Sequence, residues 1–287
     1  MLIERLPHYG QLIRFDKPIG TWLLLWPSLW GLWIAAHGQP HALVLGIFVV
    51  GVFLMRSAGC AFNDFADRNF DGHVSRTQQR PIANGTISPT EALLISFGFM
   101  LFAFCLSLLL NPLTIKLALV GFALTLIYPW MKRFIHAPQA VLGIAFSWSI
   151  PMAFAAELNT IPIEAWVLFL IAVLWPIIYD TFYAMADRED DLHLGLKSTA
   201  IWFGDSDKLV LALLQGIFFV ALICFGMWQQ FNRWYFVGIT TAIGFAIYQQ
   251  ILIKDRQPTQ CFKAFLNNHW IGMWIFFGIF LNYLPPR

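Results

Sequence analysis

Long uninterrupted apolar runs, separated by short polar breaks, set the pattern of this chain. A helix crossing a hydrocarbon core of about 30 Å needs roughly 20 apolar residues. By that measure the pattern predicts nine spans, at 19–37, 42–63, 92–110, 113–131, 139–156, 163–186, 209–230, 234–253 and 265–284. Several runs hold no charge at all, whereas 42–63 contains Arg56 and 113–131 begins beside Lys116. The breaks carry turn chemistry, such as His37-Gly38-Gln39-Pro40 and Asn111-Pro112. Continuous rather than alternating apolar runs argue against a β-barrel.

Composition narrows the class further. Of 287 residues, 59% are hydrophobic and 12% charged, too few charges to cover a soluble fold of this length. Mean hydropathy is +0.65. The same numbers exclude a disordered or disulfide-stapled chain. A net charge of +2 gives no footprint for nucleic acid. The four cysteines are far apart, form no ligand spacing and read as small core hydrophobes. Residues 1–18 carry too many charges for a cleaved signal and are not a transit peptide. They read as an amphipathic segment on the membrane, with Leu2, Ile3, Leu6, Leu12, Ile13 and Phe15 on its apolar side. The expectation is one all-α integral membrane domain over 1–287.

Charge sets an expected orientation. Sorted by loop, 14 of the 18 lysines and arginines fall on one side; Lys116, Arg233 and Arg287 fall on the other and Arg56 stays in the membrane. The positive-inside rule puts the first side, with the N-terminus, in the cytoplasm and the C-terminus outside. Two loops on that side are long, roughly 64–91 and 187–208.

Half of the 16 acids crowd into two windows where a span runs out into those loops. Asn63, Asp67 and Asp71 form one row of positions four apart, and Tyr179, Tyr183, Asp187 and Asp191 form another. Positions four apart share a helix face, and carboxylates so placed repel unless something positive lies between them. Oxygen donors of this kind suit Mg²⁺ shared with substrate phosphates. Ala66-Asp67-Arg68-x-x-Asp71 and Ala186-Asp187-Arg188-x-x-Asp191 repeat at an offset of 120 residues. The offset suggests two helical repeats, about 19–131 and 139–253, followed by a final helix. Asp64 and Asp180 lie off the rows and read as support for the ligands as readily as ligands. Arg56 is expected to face a polar cavity or a partner. Lys132-Arg133 reads either as a membrane-edge anchor or as a receptor for an acidic substrate.

These rows resemble the two signatures of the UbiA-type membrane prenyltransferases. The 4-hydroxybenzoate polyprenyltransferase branch of bacteria is similar also in Asp16-Lys17-Pro18-Ile19-Gly20, Arg80-Pro81, Tyr128-Pro129-x-Met131-Lys132-Arg133, Trp148-Ser149-Ile150-Pro151 and Lys197-Ser198-Thr199-Ala200. The resemblance implies nine transmembrane helices ringed around a cavity that opens sideways to lipid, with polar caps over a cytoplasmic mouth. It implies Mg²⁺-dependent prenylation of 4-hydroxybenzoate by a polyprenyl diphosphate, for ubiquinone synthesis, in a bacterial inner membrane. No obligate protein partner is implied. Carried onto this chain, Asn63, Asp67, Asp71, Asp187 and Asp191 would hold metal, the four aspartates being the catalytic set. Arg68, Arg76, Arg80 and Lys197 would bind the diphosphate, and Arg133 the carboxylate of the aromatic acid. Tyr128, Trp148, Tyr179 and Tyr183 are candidates to stabilise an allylic cation. Tyr183 stands where other branches carry lysine.

Two other classes compete. A CDP-alcohol phosphotransferase would gather its acids in one compact cluster. An ion-coupled transporter would place them near the midplane. Here they sit at the membrane edge among basic residues. Within the family, menaquinone, haem and tocopherol branches use other acceptors.

Overall fold

The structure, a computed structural model, describes residues 2–74 and 76–284, with side chains from residue 5 onward. Among the described residues every regular element is helical. They are α1 (Leu2–Leu12), α2 (Ile19–Ala35), α3 (Ala42–Ala66), α4 (Pro89–Ser107), α5 (Pro112–Ile127), α6 (Pro138–Ser147), α7 (Ser149–Leu158), α8 (Ile163–Ala186), α9 (Arg188–His193), α10 (Thr199–Phe203), α11 (Asp207–Trp228), α12 (Arg233–Leu252) and α13 (Pro258–Asn282), with short 3₁₀ turns at Asp71–His73, Tyr128–Arg133 and Gly204–Ser206.

Local chemistry accounts for the boundaries. Ser88 and Glu91 form a capping box ahead of α4, and Asn111 accepts from the Thr114 amide at 3.0 Å to start α5. Proline opens α4, α5, α6 and α13 at the first turn, where its missing N–H costs nothing. The span expected at 139–156 is split at Trp148 into α6 and α7. Pro151 lacks the amide that would have bonded the Ser147 carbonyl, so the helix breaks there. The last span begins at Pro258 rather than 265, because its first turn is polar and escapes a hydropathy reading.

Eight helical segments are long and apolar enough to cross a bilayer, while Ile19–Ala35 is apolar but shorter. The protein is a multi-pass membrane protein. The expected ninth span is this 17-residue α2, which packs inside the bundle through Leu23, Trp30 and Leu32. At the centre runs α8, whose Trp175, Tyr179 and Phe182 are fully enclosed. Trp30 packs on Trp175 at 5.3 Å and donates its indole N–H to the Gly272 carbonyl of α13 at 3.1 Å. Apolar side chains of α4 and α5 such as Leu101, Phe102 and Leu119 face outward, as lipid requires. Cys60 and Cys261 are buried, but Cys105 and Cys224 lie on the outer face, which corrects the expectation of four core cysteines.

The helix ends sort the charges. One end joins Arg5 to Glu91, Lys132 to Asp67, Arg76 to Asp187, and both Arg188 and Arg256 to Asp207. The other end holds His41 against Glu157 and Asn232 against Asn282. Arg287, expected beyond the last span, lies outside the described residues, as do the side chains of Leu2 and Ile3. The N-terminal segment divides its apolar residues: Leu12 is buried against Ala61, Ile87 and Ala92, while Leu6 and Phe15 are exposed. It therefore docks on the bundle as well as presenting an apolar face.

Candidate active site

The two acidic rows begin at matching helix ends. Asp67 closes α3 with φ −92° and ψ 3°, and Asp187 closes α8 with φ −102° and ψ 6°. The regular helix stops, but the four-residue register survives one more turn. The Asp71 amide donates to the Asp67 carbonyl at 3.0 Å, and the Asp191 amide to the Asp187 carbonyl at 2.9 Å. Asp71 and Asp191 therefore stay near the row that the sequence placed them on, although neither belongs to the long helix.

The five residues expected to hold metal, Asn63, Asp67, Asp71, Asp187 and Asp191, line one cavity of about 410 Å³. Its polar mouth lies at the charged end of the bundle. Its remainder runs into the membrane-spanning part, bounded by residues such as Phe48, Val52, Met100, Phe104 and Met152. Tracing α3 from Asp67 back to Ile47, both lining the cavity, covers about 30 Å of helix.

Basic residues already neutralise most of these acids. Lys132 Nζ is 2.7 Å from Asp67, and Arg80 Nη1 is 2.9 Å from Asp71. The Arg76 guanidinium grips Asp187 with two bonds, at 2.9 and 2.5 Å. Asp64 is almost wholly buried and pairs with Arg14 at 2.7 Å and Arg80 at 3.1 Å. It thus supports the basic residues. Asn63 donates to Asp67 at 3.0 Å along the row. Asp191 makes no ion pair among the described residues. Burial, and then the neighbouring Asp187, push its carboxyl up to about 7. Burial also raises Asp71 against the pull of Arg80. For Arg80, burial opposes the charge, but Asp64 and Asp71 outweigh it and hold the guanidinium above its ordinary value.

The donor chemistry fits a hard cation. Asp67 Oδ1 is buried with no hydrogen bond, and the carboxylates of both rows share one cavity wall. Among the described residues no three acidic, histidine or cysteine side chains stand close enough to hold an ion already. Holding metal therefore requires Lys132, Arg80 and Arg76 to release Asp67, Asp71 and Asp187.

The other expected residues divide. Arg76, Arg80 and Lys197 line the cavity, and so do Tyr128, Trp148 and Tyr183. Arg68 does not: it is exposed, bonds the Phe65 carbonyl at 2.9 Å and lies over the Phe65 ring. Arg133 does not line the cavity either, although its Nη2 lies 3.8 Å from Asp67 Oδ1 on the wall. The 3₁₀ turn at Tyr128–Arg133 puts Lys132 inward, and Arg133 packs between Trp130 and Phe70 and donates to the Ala66 carbonyl at 2.5 Å. Tyr179 is enclosed behind the wall against Trp175 and Phe265. Tyr183 is overlaid by Arg76 at 4.1 Å. Sequence reasoning missed Arg14 as a cavity residue. Its only signal was a charge at the end of an amphipathic segment, and its inward turn rests on a left-handed backbone, φ 56°. Arg56 does line the cavity, has its Nε buried without a partner and pairs with no acid among the described residues.

A helical membrane protein with an acid-and-base mouth above an apolar chamber is built to hold a charged headgroup with a lipid-like tail. The UbiA prenyltransferase family model matches residues 24–278, and the chain belongs to that family. It is 55% identical over 282 residues to a "4-hydroxybenzoate octaprenyltransferase" of Coxiella burnetii (strain CbuK_Q154), covering 98% of each chain. A protein of the same name from Nitrosococcus oceani is 57% identical over 281 residues, covering 98% of this chain and 99% of that one. In fold it is similar to a UbiA homolog from Aeropyrum pernix K1, with TM-score 0.81 and 21% identity over 92% of this chain and 98% of that one. A UbiA homolog from Archaeoglobus fulgidus bound to GPP and Mg²⁺ gives TM-score 0.71 at 17% identity, covering 96% and 99%.

Proposed function

We propose that this protein is a Mg²⁺-dependent 4-hydroxybenzoate polyprenyltransferase, which moves a polyprenyl group from its diphosphate to the ring of the aromatic acid in ubiquinone synthesis. The observation that carries this reading is the convergence of both acidic rows, with Arg76, Arg80 and Lys197, on one mouth above an apolar chamber. The names of the relatives in Coxiella and Nitrosococcus support the acceptor. We place the charged end in the cytoplasm of a bacterial inner membrane, from its excess of lysine and arginine.

In this reading Asn63, Asp67, Asp71, Asp187 and Asp191 hold the metal. When bound, Mg²⁺ acts as a Lewis acid that neutralises the departing diphosphate. With those carboxylates on metal, Arg76, Arg80 and Lys132 would be free of their present partners and, with Lys197, could bind the diphosphate oxygens. The guanidinium fork suits such oxygens. The apolar wall keeps water from the allylic cation, and the faces of Tyr128 and Trp148 stabilise it. Arg56 takes the carboxylate of the acid in preference to Arg133, because Arg56 lines the chamber unpaired.

The test is to incubate membranes carrying the protein with 4-hydroxybenzoate, a prenyl diphosphate and Mg²⁺ and to detect prenylated acid by mass spectrometry. Product should vanish with EDTA. In Asp67→Asn it should fall by more than the roughly 10- to 100-fold typical of outer-shell residues. Unlabelled acid with intact diphosphate would remove 4-hydroxybenzoate as acceptor; solute flux without covalent product would point to a transporter.

A further inference from the structure

We propose that Asp180 is a catalytic residue that accepts the phenolic proton of the aromatic acid. The inference rests on reading the protein as a prenyltransferase acting on a phenolic acid. Asp180 lies within the membrane-spanning α8 and lines the cavity. A carboxylate at that depth is costly and is retained for a task. Asp64, Asp67, Asp71 and Asp187 all pair with arginine or lysine, whereas Asp180 makes no ion pair among the described residues. Its place is also distinct. It stands seven residues before Asp187, the end of α8, and Arg56 stands eleven before Asp67, the matching end of α3. At 1.5 Å per residue Asp180 lies about 10 Å and Arg56 about 16 Å deeper than those helix ends. Below the mouth, the cavity lining among the described residues thus includes a cation, Arg56 on α3, and a carboxylate, Asp180 on α8, neither held in an ion pair and about one helical turn apart in depth. A ring carrying a carboxylate and a hydroxyl at opposite ends complements that pair.

Other contacts keep Asp180 ready. Gln139 of α6 accepts from the Thr199 amide at 3.1 Å, which fixes its carbonyl oxygen and leaves its NH₂ to donate to Asp180. Within electrostatic reach of Asp180 are Arg56 of α3, Tyr128 beyond α5, Tyr179, Tyr183 and Asp187 along α8 and its end, and Asp191 of α9. None of the described residues forms a direct ion pair with it. In the reaction the allylic C–O bond breaks with its electron pair leaving on the diphosphate. The ring carbon beside the hydroxyl forms the new C–C bond while Asp180 takes the phenolic proton, giving a neutral dienone. The proton on that ring carbon then leaves with the diphosphate, and Asp180 returns its own proton to the oxygen.

Two steps separate in Asp180→Asn. Ionisation is read by positional isotope exchange in a prenyl diphosphate carrying ¹⁸O at the bridging position, and transfer by prenylated 4-hydroxybenzoate. The variant should retain exchange within a few-fold of the unaltered protein and lose transfer by roughly 10²- to 10⁴-fold, the usual span for a general base. Its residual transfer should climb as rising pH ionises the phenol in solution, and Asp180→Glu should recover part of the loss. Transfer near the unaltered level, loss of exchange along with transfer, or a Glu variant no better than Asn would overturn the proposal. Absence of both exchange and transfer in the unaltered protein would instead overturn the parent reading.

Discussion

At the residue scale, partnership rather than residue type separates the roles. Six aspartates line the cavity, yet only Asp180 and Asp191 are without an ion pair among the described residues, and of its arginines Arg56 alone meets no acid. A charge left unpaired at membrane depth is expensive, so its counter-charge comes from a ligand. We therefore expect Arg56→Met to raise the apparent KM for 4-hydroxybenzoate by roughly 10- to 150-fold, the worth of about 1.5–3 kcal/mol for a charge-assisted bond. The KM for prenyl diphosphate should hardly move. Steady-state kinetics on both substrates checks this, and Arg133→Ala beside it shows whether that residue binds acid or holds the turn under Ala66. An Arg56→Met enzyme with unchanged KM for the acid would return the role to Arg133.

At the scale of elements, small residues decide how closely the helices cross. A Cβ on Gly238 would lie 2.6 Å from the Trp274 carbonyl oxygen and 2.8 Å from Gly278 Cα, so α12 and α13 touch backbone to backbone. A Cβ on Gly143 would lie 2.5 Å from the Val173 carbonyl, which fixes α6 against α8. Neither obstacle is a flexible side chain. Gly238→Leu should cost at least about 1–3 kcal/mol as overpacking, seen as a lower melting temperature in detergent. The neighbouring Val237→Leu, on the exposed face, should leave melting almost unchanged. Amides tie α11, α12 and α13 in series: Gln215 donates to Gln249 at 2.9 Å and Gln249 to Asn267 at 3.0 Å. The matched ends of α3 and α8 also support the two helical repeats, which we propose on the shared end geometry of Asp67 and Asp187.

For the whole molecule, the acidic mouth couples stability to pH and metal. Asp191 is pushed up to about 7 and Asp71 is raised, so the folded protein holds protons that the unfolded chain has released above about pH 4. Stability from these groups is present at low pH and is lost as pH rises from about 4 through 7. In EDTA the protein should therefore melt at a lower temperature at pH 8 than at pH 6, and Asp191→Asn should shrink that difference. Mg²⁺ with prenyl diphosphate should reverse it, because metal binds the ionised carboxylates. Thermal melts across that pH range, with and without Mg²⁺, decide the matter; a flat EDTA profile would remove the proton-loaded mouth.

Much of this was legible along the chain. Apolar runs of membrane length gave the helical class and most spans within a few residues, because the bilayer allows only a narrow range of lengths. Four-residue spacing gave both acidic rows, because hydrogen bonds between residues four apart persist past the ends of α3 and α8. What one dimension could not hold was which side of a turn a residue faces. Lys132 lines the cavity while Arg133 packs behind it on Trp130 and Phe70, Arg14 reaches the cavity from an amphipathic segment, and Tyr179 sits behind the wall that Asp180 lines. Those choices follow from long-range packing and ion pairing between segments far apart in sequence, as where Arg14 meets Asp64 and Arg76 meets Asp187. Sequence alone determined the helices and the acids they carry; only tertiary structure decided which charges are spent on each other and which are left for a substrate.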